Sequence, residues 1–335
     1  MGIAMVSERE IIQIIRGYLK ESPRSTTPFG DDVSTLRVEG RLLAVVKVDM
    51  FVRETDAVPG MSLSQMARKA IVSTVSDFAS KGVQPLALMS SMALPPSVSS
   101  NDVAELASGL CSAAEEYGTY VVGGDTNQAS DLIIDIAGFG LAEEPIMSRS
   151  DARPGDILAT TGTFGETAAS FKILFEGLTP PDYLKIRLLE SVYEPKAHLK
   201  QGIALKESMC INASIDSSDG LAWSIHELSV ASGVGFQLTS IPISEDVLRF
   251  AEMFHLDPYQ LALYGGEEYN LVVTVKRSRW KEAVKAVENA KGRLHKMGEA
   301  VEAPGIFLST NGGRRKVQPI GWEHLKERRH RPHKI

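Results

Sequence analysis

Cysteine is scarce in this sequence, and the few cysteines form no recognisable motif. The 335 residues contain only two, Cys111 and Cys210, which lie far apart and outside any Cys-x-x-Cys pair. A disulfide framework or a cysteine zinc site is therefore not expected, and a reducing cytoplasm is the expected location. No apolar run approaches the roughly 20 residues that a membrane helix needs. The first residues also lack a secretion-signal pattern, so we expect no membrane association.

The sequence also lacks an excess of basic charge and the common phosphate-binding motifs. Its 36 Lys and Arg residues against 42 Asp and Glu residues give a formal net charge of −6. Nucleic acid is therefore not an expected partner, because its phosphates demand a basic surface. No glycine is followed by lysine, and no Gly-x-Gly-x-x-Gly occurs, which argues against P-loop and Rossmann sites. An anionic ligand would have to be held by metal ions or local cations.

Helix and strand patterns alternate along the whole chain, which is typical of a mixed α/β protein. Ser7 and Glu10 form a capping-box pattern before an amphipathic helix. The chain length favours two domains, and the pattern restarts with a strand after Gly155. We therefore predict an α/β (α+β) fold with an N-terminal domain over 1–147 and a C-terminal domain over 148–335. The basic tail, residues 326–334, is expected to be a solvated end.

Carboxylates recur where predicted elements end. They are Asp31 and Asp32 after Gly30, Asp49 after a predicted strand, Asp77 in a helix of small residues, Asp125 after two glycines, Asp216 and Asp219 between a strand and a helix, and Glu267 with Glu268 before a strand. An aspartate beside a glycine is often only a turn or cap residue. A converging set repels itself unless cations lie within it, and Mg²⁺ prefers carboxylate and phosphate oxygens.

Two of these segments also suit phosphate groups. The glycines before Asp125 allow a close approach of backbone amides, and the helix expected after Ser218 presents free N–H groups at its start. The aspartates and these segments together predict a magnesium-dependent enzyme that uses a nucleotide triphosphate.

A series of motifs spread in order along the chain resembles the thiamine-monophosphate kinase family, in its archaeal form, within the superfamily of aminoimidazole ribonucleotide synthetase. They are PFGDDV (28–33), VDM (48–50), VSDFASKG (75–82), GGDT (123–126), RSDARPGD (149–156), TGTFGETAAS (161–170), SSDGLA (217–222), SGVGF (232–236), GGEEYNL (265–271) and IGW (320–322). The resemblance implies direct in-line transfer of the γ-phosphoryl group of ATP to thiamine monophosphate. It also implies a homodimer in which the N-terminal halves form a barrel-like interface.

The resemblance assigns roles to individual residues. Magnesium ligation is implied for Asp31, Asp49, Asp77, Asp125, Asp216 and Asp219; ATP contacts for Gly124, Asp125, Arg149 and Ser218; substrate contacts for Asp56, Glu267 and Trp322; and catalytic roles for Asp77, Arg149 and Asp219. Arg149 and magnesium would neutralise and align two anionic reactants, and no protein nucleophile or general base is required.

Three departures from the family pattern affect these assignments. Bacterial members have a hydroxyl residue at the position of Lys47, and they have a substrate-contacting His at the position of Asp56. Their GGEDYEL motif is GGEEYNL here, with the longer Glu268. Another ATP-using enzyme of the superfamily and a non-catalytic nucleotide-binding regulator remain alternatives. A selenophosphate synthetase is disfavoured, because that chemistry needs a reactive Cys near the N-terminus and the first one here is Cys111.

Overall fold

The computed structural model describes residues 6–310, 313–323 and 325. Within them the chain forms eleven α-helices and twelve strands, interspersed along the sequence, as predicted for a mixed α/β protein. The basic segment 326–334, which was expected to be a solvated end, lies outside the described residues. None of the described helices combines the length and apolar character needed to cross a membrane.

The first half of the chain forms a five-stranded sheet with the order β1-β2-β5-β3-β4. Its strands are β1 (Ser34–Glu39), β2 (Leu42–Val52), β3 (Pro85–Leu94), β4 (Val121–Gln128) and β5 (Ile133–Glu143), and its helices are α1 (Glu8–Tyr18), α2 (Arg53–Asp56), α3 (Leu63–Lys81) and α4 (Ser100–Glu116). β3 and β4 are parallel, and the other neighbours are antiparallel. In a single chain, the described strands leave this sheet open, with β1 and β4 at its edges.

The second half forms a seven-stranded sheet with the order β12-β11-β8-β10-β6-β9-β7. Its strands are β6 (Ile157–Thr160), β7 (Ile211–Asp216), β8 (Gly235–Leu238), β9 (Leu271–Val275), β10 (His295–Val301), β11 (Ile306–Thr310) and β12 (Gly313–Lys316). Its helices are α5 (Glu166–Glu176), α6 (Asp182–Tyr193), α7 (Leu199–Ser208), α8 (Leu221–Ser232), α9 (Glu245–Met253), α10 (Pro258–Tyr264) and α11 (Trp280–Asn289).

Helix α3 lies between the two halves and contacts both of them. A capping box of Ser62 and Gln65 begins it, and Gly82, with φ of 64°, ends it. Fourteen of its 19 residues are buried, because β2 and β5 pack on one side and β7 and α7 on the other. A Cβ at Gly202 of α7 would lie 2.0 Å from the carbonyl oxygen of Ala79, so only glycine permits this close helix contact.

One hydrophobic core crosses the predicted domain boundary. Ile71 of α3, Ile136 of β5 and Val273 of β9 are fully buried and belong to the same cluster. The two sheets nevertheless use separate parts of the chain, residues 34–143 and 157–316. The division at 147/148 falls in the segment between them and stays a prediction.

The strands β2 and β4, which carry the predicted metal ligands Asp49 and Asp125, extend further along the chain than the sequence indicated. The prediction that a strand ends before Asp49 was wrong, because β2 continues to Val52 and pairs along its whole length with β5. The prediction that Asp125 follows a strand was also wrong, because Asp125 lies inside β4. β4 carries two glycines and polar residues, so it has none of the apolar alternation from which a strand is read. Its pairing with β3 makes it a strand.

Candidate active site

Three aspartates from different parts of the chain meet at the end of α3. Asp32 lies in the loop before β1, Asp77 on α3 and Asp216 at the end of β7, and one carboxylate oxygen of each lies within 4.8 Å of the others. All three are buried. Because α3 packs against both sheets, it brings carboxylates from both halves of the molecule to one point.

A buried lysine holds the first of these carboxylates in place. The ammonium of Lys81, which is fully buried, lies 2.6 Å from Oδ1 of Asp31 and 2.8 Å from Oδ2 of Asp32, and it donates to the carbonyl oxygen of Ser214 at 3.0 Å. Burial would raise the pKa of Asp32, but Arg149 and Lys81 outweigh it and hold that pKa well below its usual value. Asp32 is therefore ionised in the folded chain.

Arg149 lies against the same carboxylate from the other side. Its Nε is 2.6 Å from Oδ1 of Asp32, its Nη2 also contacts that oxygen, and its Nη1 donates to the carbonyl oxygen of Gly30 at 2.7 Å. Glu227 of α8 is a further partner, 3.3 Å from Nη1. Arg149, the predicted ATP contact, is thus positioned by Asp32, and all four of these guanidinium contacts are to protein oxygens.

Lys47 holds a second pair of carboxylates. Its ammonium lies 2.9 Å from Oδ2 of Asp77 and 3.2 Å from Oδ1 of Asp49. Burial would lower the pKa of Lys47, but the attraction of Asp77 and Asp49 raises it above its usual value. Oδ2 of Asp49 is buried and has no hydrogen-bond partner among the described residues. That oxygen is an acceptor without a donor or a cation.

The carboxylates with fewer cationic partners have raised pKa values. Burial, followed by repulsion from Asp32, raises the pKa of Asp216 to about 6. Burial and the charge of Glu8 raise that of Asp219 to about 7. Burial also raises the pKa of Asp77, against the attraction of Lys47. Since a bound cation favours the ionised form, this group has the electrostatics of a site for a hard cation.

The other predicted metal ligand, Asp125, lies apart from this group. Across the sheet, Asp125 pairs with Ser91, Asp135 and Met50 in one row, and Met50 is 63% exposed. Asp49 belongs to the adjacent row, whose side chains point to the opposite face. β4 is three strands from β2, about 14 Å at the usual strand spacing. Within one chain, Asp125 and Asp49 therefore cannot hold the same ion.

The two segments predicted to bind the nucleotide, at Gly124 and at Ser218, have different structural roles in the fold. A Cβ at Gly124 would lie 1.8 Å from the carbonyl oxygen of Ser90, so the strand pairing itself excludes any other residue there. Ser218 lies in the loop between β7 and α8, and its carbonyl oxygen accepts the backbone N–H of Glu267 at 2.6 Å. Helix α8 begins two residues after Asp219, with its first N–H groups turned toward this loop.

The predicted substrate residues lie on two sides of that loop. Lys69 of α3 joins Asp56 to Glu267, with its ammonium 2.7 Å from the carbonyl oxygen of the first and 2.7 Å from the carboxylate of the second. Trp322 instead donates its backbone N–H to the carbonyl oxygen of Asp219 at 3.0 Å. The loop 216–220 thus separates Glu267 from Trp322.

Each side of the loop opens into a cavity. The cavity on the Trp322 side, about 720 Å³, is lined by α1, Phe29, Asp31, Arg149 and Trp223. The cavity on the Glu267 side, about 380 Å³, has an excess of acidic groups. Its acidic side chains are Glu166, Glu190, Glu194, Asp246, Glu267 and Glu268, and its basic ones are Arg187 and Lys196. Oδ1 of Asp246 is buried there without a partner among the described residues. This second cavity suits a cationic group.

Sequence reasoning missed several residues of the site. Asp32 was quoted in its motif but not assigned as a ligand, and Lys81 and Lys69 were not singled out. Their signal was weak, because a lysine in a helix usually faces solvent, and only the burial of α3 on two sides places these two inside. Glu268 acts as a cap: one of its oxygens accepts the N–H groups of Gly165 and Thr167 at the start of α5, at 2.6 and 3.2 Å.

Comparisons with known proteins first define a class and then a family. Residues 30–142 match the family described as AIR synthase related protein, N-terminal domain. The chain is 31% identical to the thiamine-monophosphate kinase of Pyrococcus horikoshii over 94% of this chain and 96% of that protein. It is 29% identical to the thiamine-monophosphate kinase of Nitrosopumilus maritimus over 97% and 100% of the two chains. The chain belongs to the thiamine-monophosphate kinase family.

A solved structure agrees with this assignment. The structure of AaThiL complexed with AMPPCP and TMP superposes with a TM-score of 0.83 at 26% identity, covering 97% of this chain and 99% of the other. The fold of the present chain is therefore that of this protein over nearly its whole length.

Proposed function

We propose that this chain transfers the γ-phosphoryl group of ATP to thiamine monophosphate, which gives thiamine diphosphate and ADP. The observation that carries the proposal is the buried group of Asp32, Asp77 and Asp216, held beside Arg149 where the two halves meet. The family of the chain and the binding of AMPPCP and TMP by AaThiL support the same reaction.

The donor set fits a divalent ion of the magnesium type. Its ligands are carboxylate oxygens, which Mg²⁺ prefers, and an unpartnered oxygen of Asp49 lies next to the group. Magnesium held by Asp32, Asp77 and Asp216, with the predicted ligands Asp31 and Asp219 close by in the chain and Asp49 joined to Asp77 through Lys47, would supply positive charge to the phosphates of the nucleotide. The raised pKa values of Asp216 and Asp219 support a site that gains from such a charge.

The chain's own residues have to align two anions. Arg149 donates to a phosphate oxygen while Asp32 and Gly30 orient its guanidinium. Ser218 and the first N–H groups of α8 hold a second phosphate, and Gly124 with Asp125 on β4 of a second copy of the chain contact the same nucleotide. An ionised phosphate oxygen of the acceptor is already a nucleophile, so no side chain has to remove a proton.

The thiamine part of the acceptor lies between Glu267 and Trp322. Its thiazolium ring carries a permanent positive charge, which fits the acidic cavity beside Glu267, where Asp246 keeps an unpartnered oxygen. Trp322 lines the cavity on the other side of the loop, so it would contact a different part of the acceptor from the thiazolium ring. Asp56 acts with Glu267 through their shared contact with Lys69.

The active unit is a homodimer formed by the open face of the five-stranded sheet. Val48, Met50, Met89, Phe139 and Leu141 point to this face and are 40 to 63% exposed. A row of large apolar side chains of this kind is typical of a protein interface. Asp125 lies on the same face, so it can complete a metal site only in a second copy of the chain.

The catalytic proposal is tested by measuring ADP release with and without thiamine monophosphate and by identifying the product. We expect turnover that depends on both thiamine monophosphate and Mg²⁺ and that yields thiamine diphosphate. Asp77→Asn, nearly isosteric with the wild type, should keep the fold but lose most activity at low Mg²⁺. ATP hydrolysis that is indifferent to thiamine monophosphate would contradict the assignment of the acceptor.

The dimer and the role of Asp125 are tested together by mixing two inactive variants. Light scattering should give twice the chain mass of 36.4 kDa. Asp77→Asn and Asp125→Asn, unfolded and refolded together, should recover roughly a quarter of wild-type activity, because half of the random dimers hold one intact site. Absence of recovery in mixed dimers of proven composition would place Asp77 and Asp125 in the same site of one chain, or outside the site.

A further inference from the structure

Lys47 is a buried cation that already occupies the space between two of the predicted metal ligands. Lys47 and Asp49 are two residues apart on β2, so their side chains share the inner face of the sheet, where Asp77 of α3 meets them. The ammonium is 2.9 Å from Asp77 and 3.2 Å from Asp49. Side-chain exposure is 22% for Lys47 and 10% for Asp77, so water gives this contact little screening.

The charges at the site divide into two unequal parts. Lys81 forms ion pairs with Asp31 and Asp32, and Arg149 pairs with Asp32 as well. Lys47 forms ion pairs with Asp49 and Asp77. Among the described residues, no ammonium or guanidinium lies within 4.0 Å of a carboxylate oxygen of Asp216 or Asp219. Asp216 instead accepts a hydrogen bond from the Ser76 hydroxyl at 2.7 Å and lies within 4.8 Å of the carboxylates of Asp32 and Asp77. The demand for an added cation is therefore strongest on the Asp216 side of Asp77 and weakest on the Asp49 side.

The ammonium also limits which oxygens an added ion can use. Oδ2 of Asp77 and Oδ1 of Asp49 point to Lys47, which leaves one oxygen of each carboxylate for other partners. A divalent ion bound between Asp49 and Asp77 would lie within a few ångströms of the ammonium and would be repelled by it. An ion held by the other oxygen of Asp77, together with Asp32 and Asp216, would be separated from the ammonium by the width of the carboxylate.

We propose that Lys47 is a resident monovalent cation that takes the place of a divalent ion between Asp49 and Asp77. The inference rests on the proposed use of divalent ions by this site, and it concerns their number. Asp77 then links a divalent ion on one side to a lysine on the other, where two ions would otherwise share it. Removal of the ammonium exposes the pair Asp49 and Asp77, and the unpartnered Oδ2 of Asp49 gives the vacated position a further ligand.

The test counts bound ions directly. Full-length protein with AMPPCP is titrated with Mn²⁺, which accepts the oxygen ligands of Mg²⁺, and free Mn²⁺ is measured by its electron paramagnetic resonance signal. Lys47→Met removes the charge at similar volume and should bind one more Mn²⁺ per chain than the wild type. Lys285→Met, on an exposed face of α11, is the matched control and should leave the count unchanged. In Lys47→Met/Asp49→Asn the additional ion should be lost.

A second measurement does not depend on the folding of a Lys47 variant. In the wild-type background, Asp49→Asn should leave the number of bound Mn²⁺ ions unchanged, because Asp49 pairs with the Lys47 ammonium and binds no divalent ion. Loss of one Mn²⁺ in Asp49→Asn, or equal counts in folded Lys47→Met and wild type, would overturn the inference. The Mn²⁺ count and the turnover test the two proposals separately. If Lys47→Met and the wild type bind equal numbers of Mn²⁺ and the wild type still forms thiamine diphosphate, the role of Lys47 is refuted and the kinase activity is supported. If Lys47→Met binds one more Mn²⁺ but the wild type shows no turnover, the role of Lys47 is supported and the kinase activity is refuted.

Discussion

Removal of the Lys81 ammonium is the perturbation whose effect on stability can be worked out most directly. Lys81 and Asp32 have side-chain exposures of 0%, and Asp31 has 1%. Lys81→Met keeps the aliphatic stem and leaves two buried carboxylates without their shared partner. Breaking a buried ion pair by removing one member typically costs about 3–5 kcal/mol. Arg149 still contacts Asp32, which favours the lower half of that range.

The expected loss is measurable by thermal and denaturant unfolding. For 335 residues the entropy of unfolding is about 0.7 kcal/mol/K near 60 °C if the chain unfolds as one unit, so Tm should fall by roughly 4–6 °C. Lys285→Met should change the free energy of unfolding by less than about 0.5 kcal/mol. The loss in Lys81→Met should shrink at pH 5, where the unpaired carboxylates can take up protons, and on addition of Mg²⁺. A change below about 1 kcal/mol at pH 8 would refute the reasoning, because it would mean that Lys81 contributes no net charge stabilisation.

Three further predictions concern the nucleotide, the substrate and pH. Arg149→Ala should raise the KM for ATP or lower kcat, since a phosphate loses a charge-assisted donor; unchanged ATP kinetics would remove Arg149 from the site. Trp322→Ala should raise the KM for thiamine monophosphate several-fold with little change in the KM for ATP or in Tm, whereas a lower Tm with unaltered KM would mark Trp322 as a structural residue. Burial, followed by repulsion from Glu166, raises the pKa of Glu268 to about 8. The folded state therefore holds a proton that the unfolded state releases, and Tm should fall between about pH 4.5 and 8 more steeply in the wild type than in Glu268→Gln; equal slopes would contradict the shift.

Local rules accounted for the elements with strong sequence signals. The capping box of Ser7 and Glu10 begins a helix where predicted. β3 has a weak sequence signal although Gly82 ends the helix before it, because Pro85–Leu94 mixes small and apolar residues without regular alternation. β10 and β11 also have weak local signals, because they pair with β6 and β8 from earlier in the chain, whereas β12 has four residues and pairs only with the adjacent β11.

The sequence by itself determined the chemistry of this protein: which carboxylates and glycines it carries, in which order, and hence the family and the class of reaction. It also determined that no P-loop holds the nucleotide. Only the tertiary structure decided which of those groups meet. Asp32 joins Asp77 and Asp216, and Asp125 faces away, because α3 is buried between two sheets and because residues in adjacent rows of a strand point to opposite faces. The places of Lys47, Lys69 and Lys81 were decided in the same way. Sequence alone cannot distinguish a solvated lysine from a buried one, since the difference lies in what packs over the helix and in which distant carboxylates offset the loss of water.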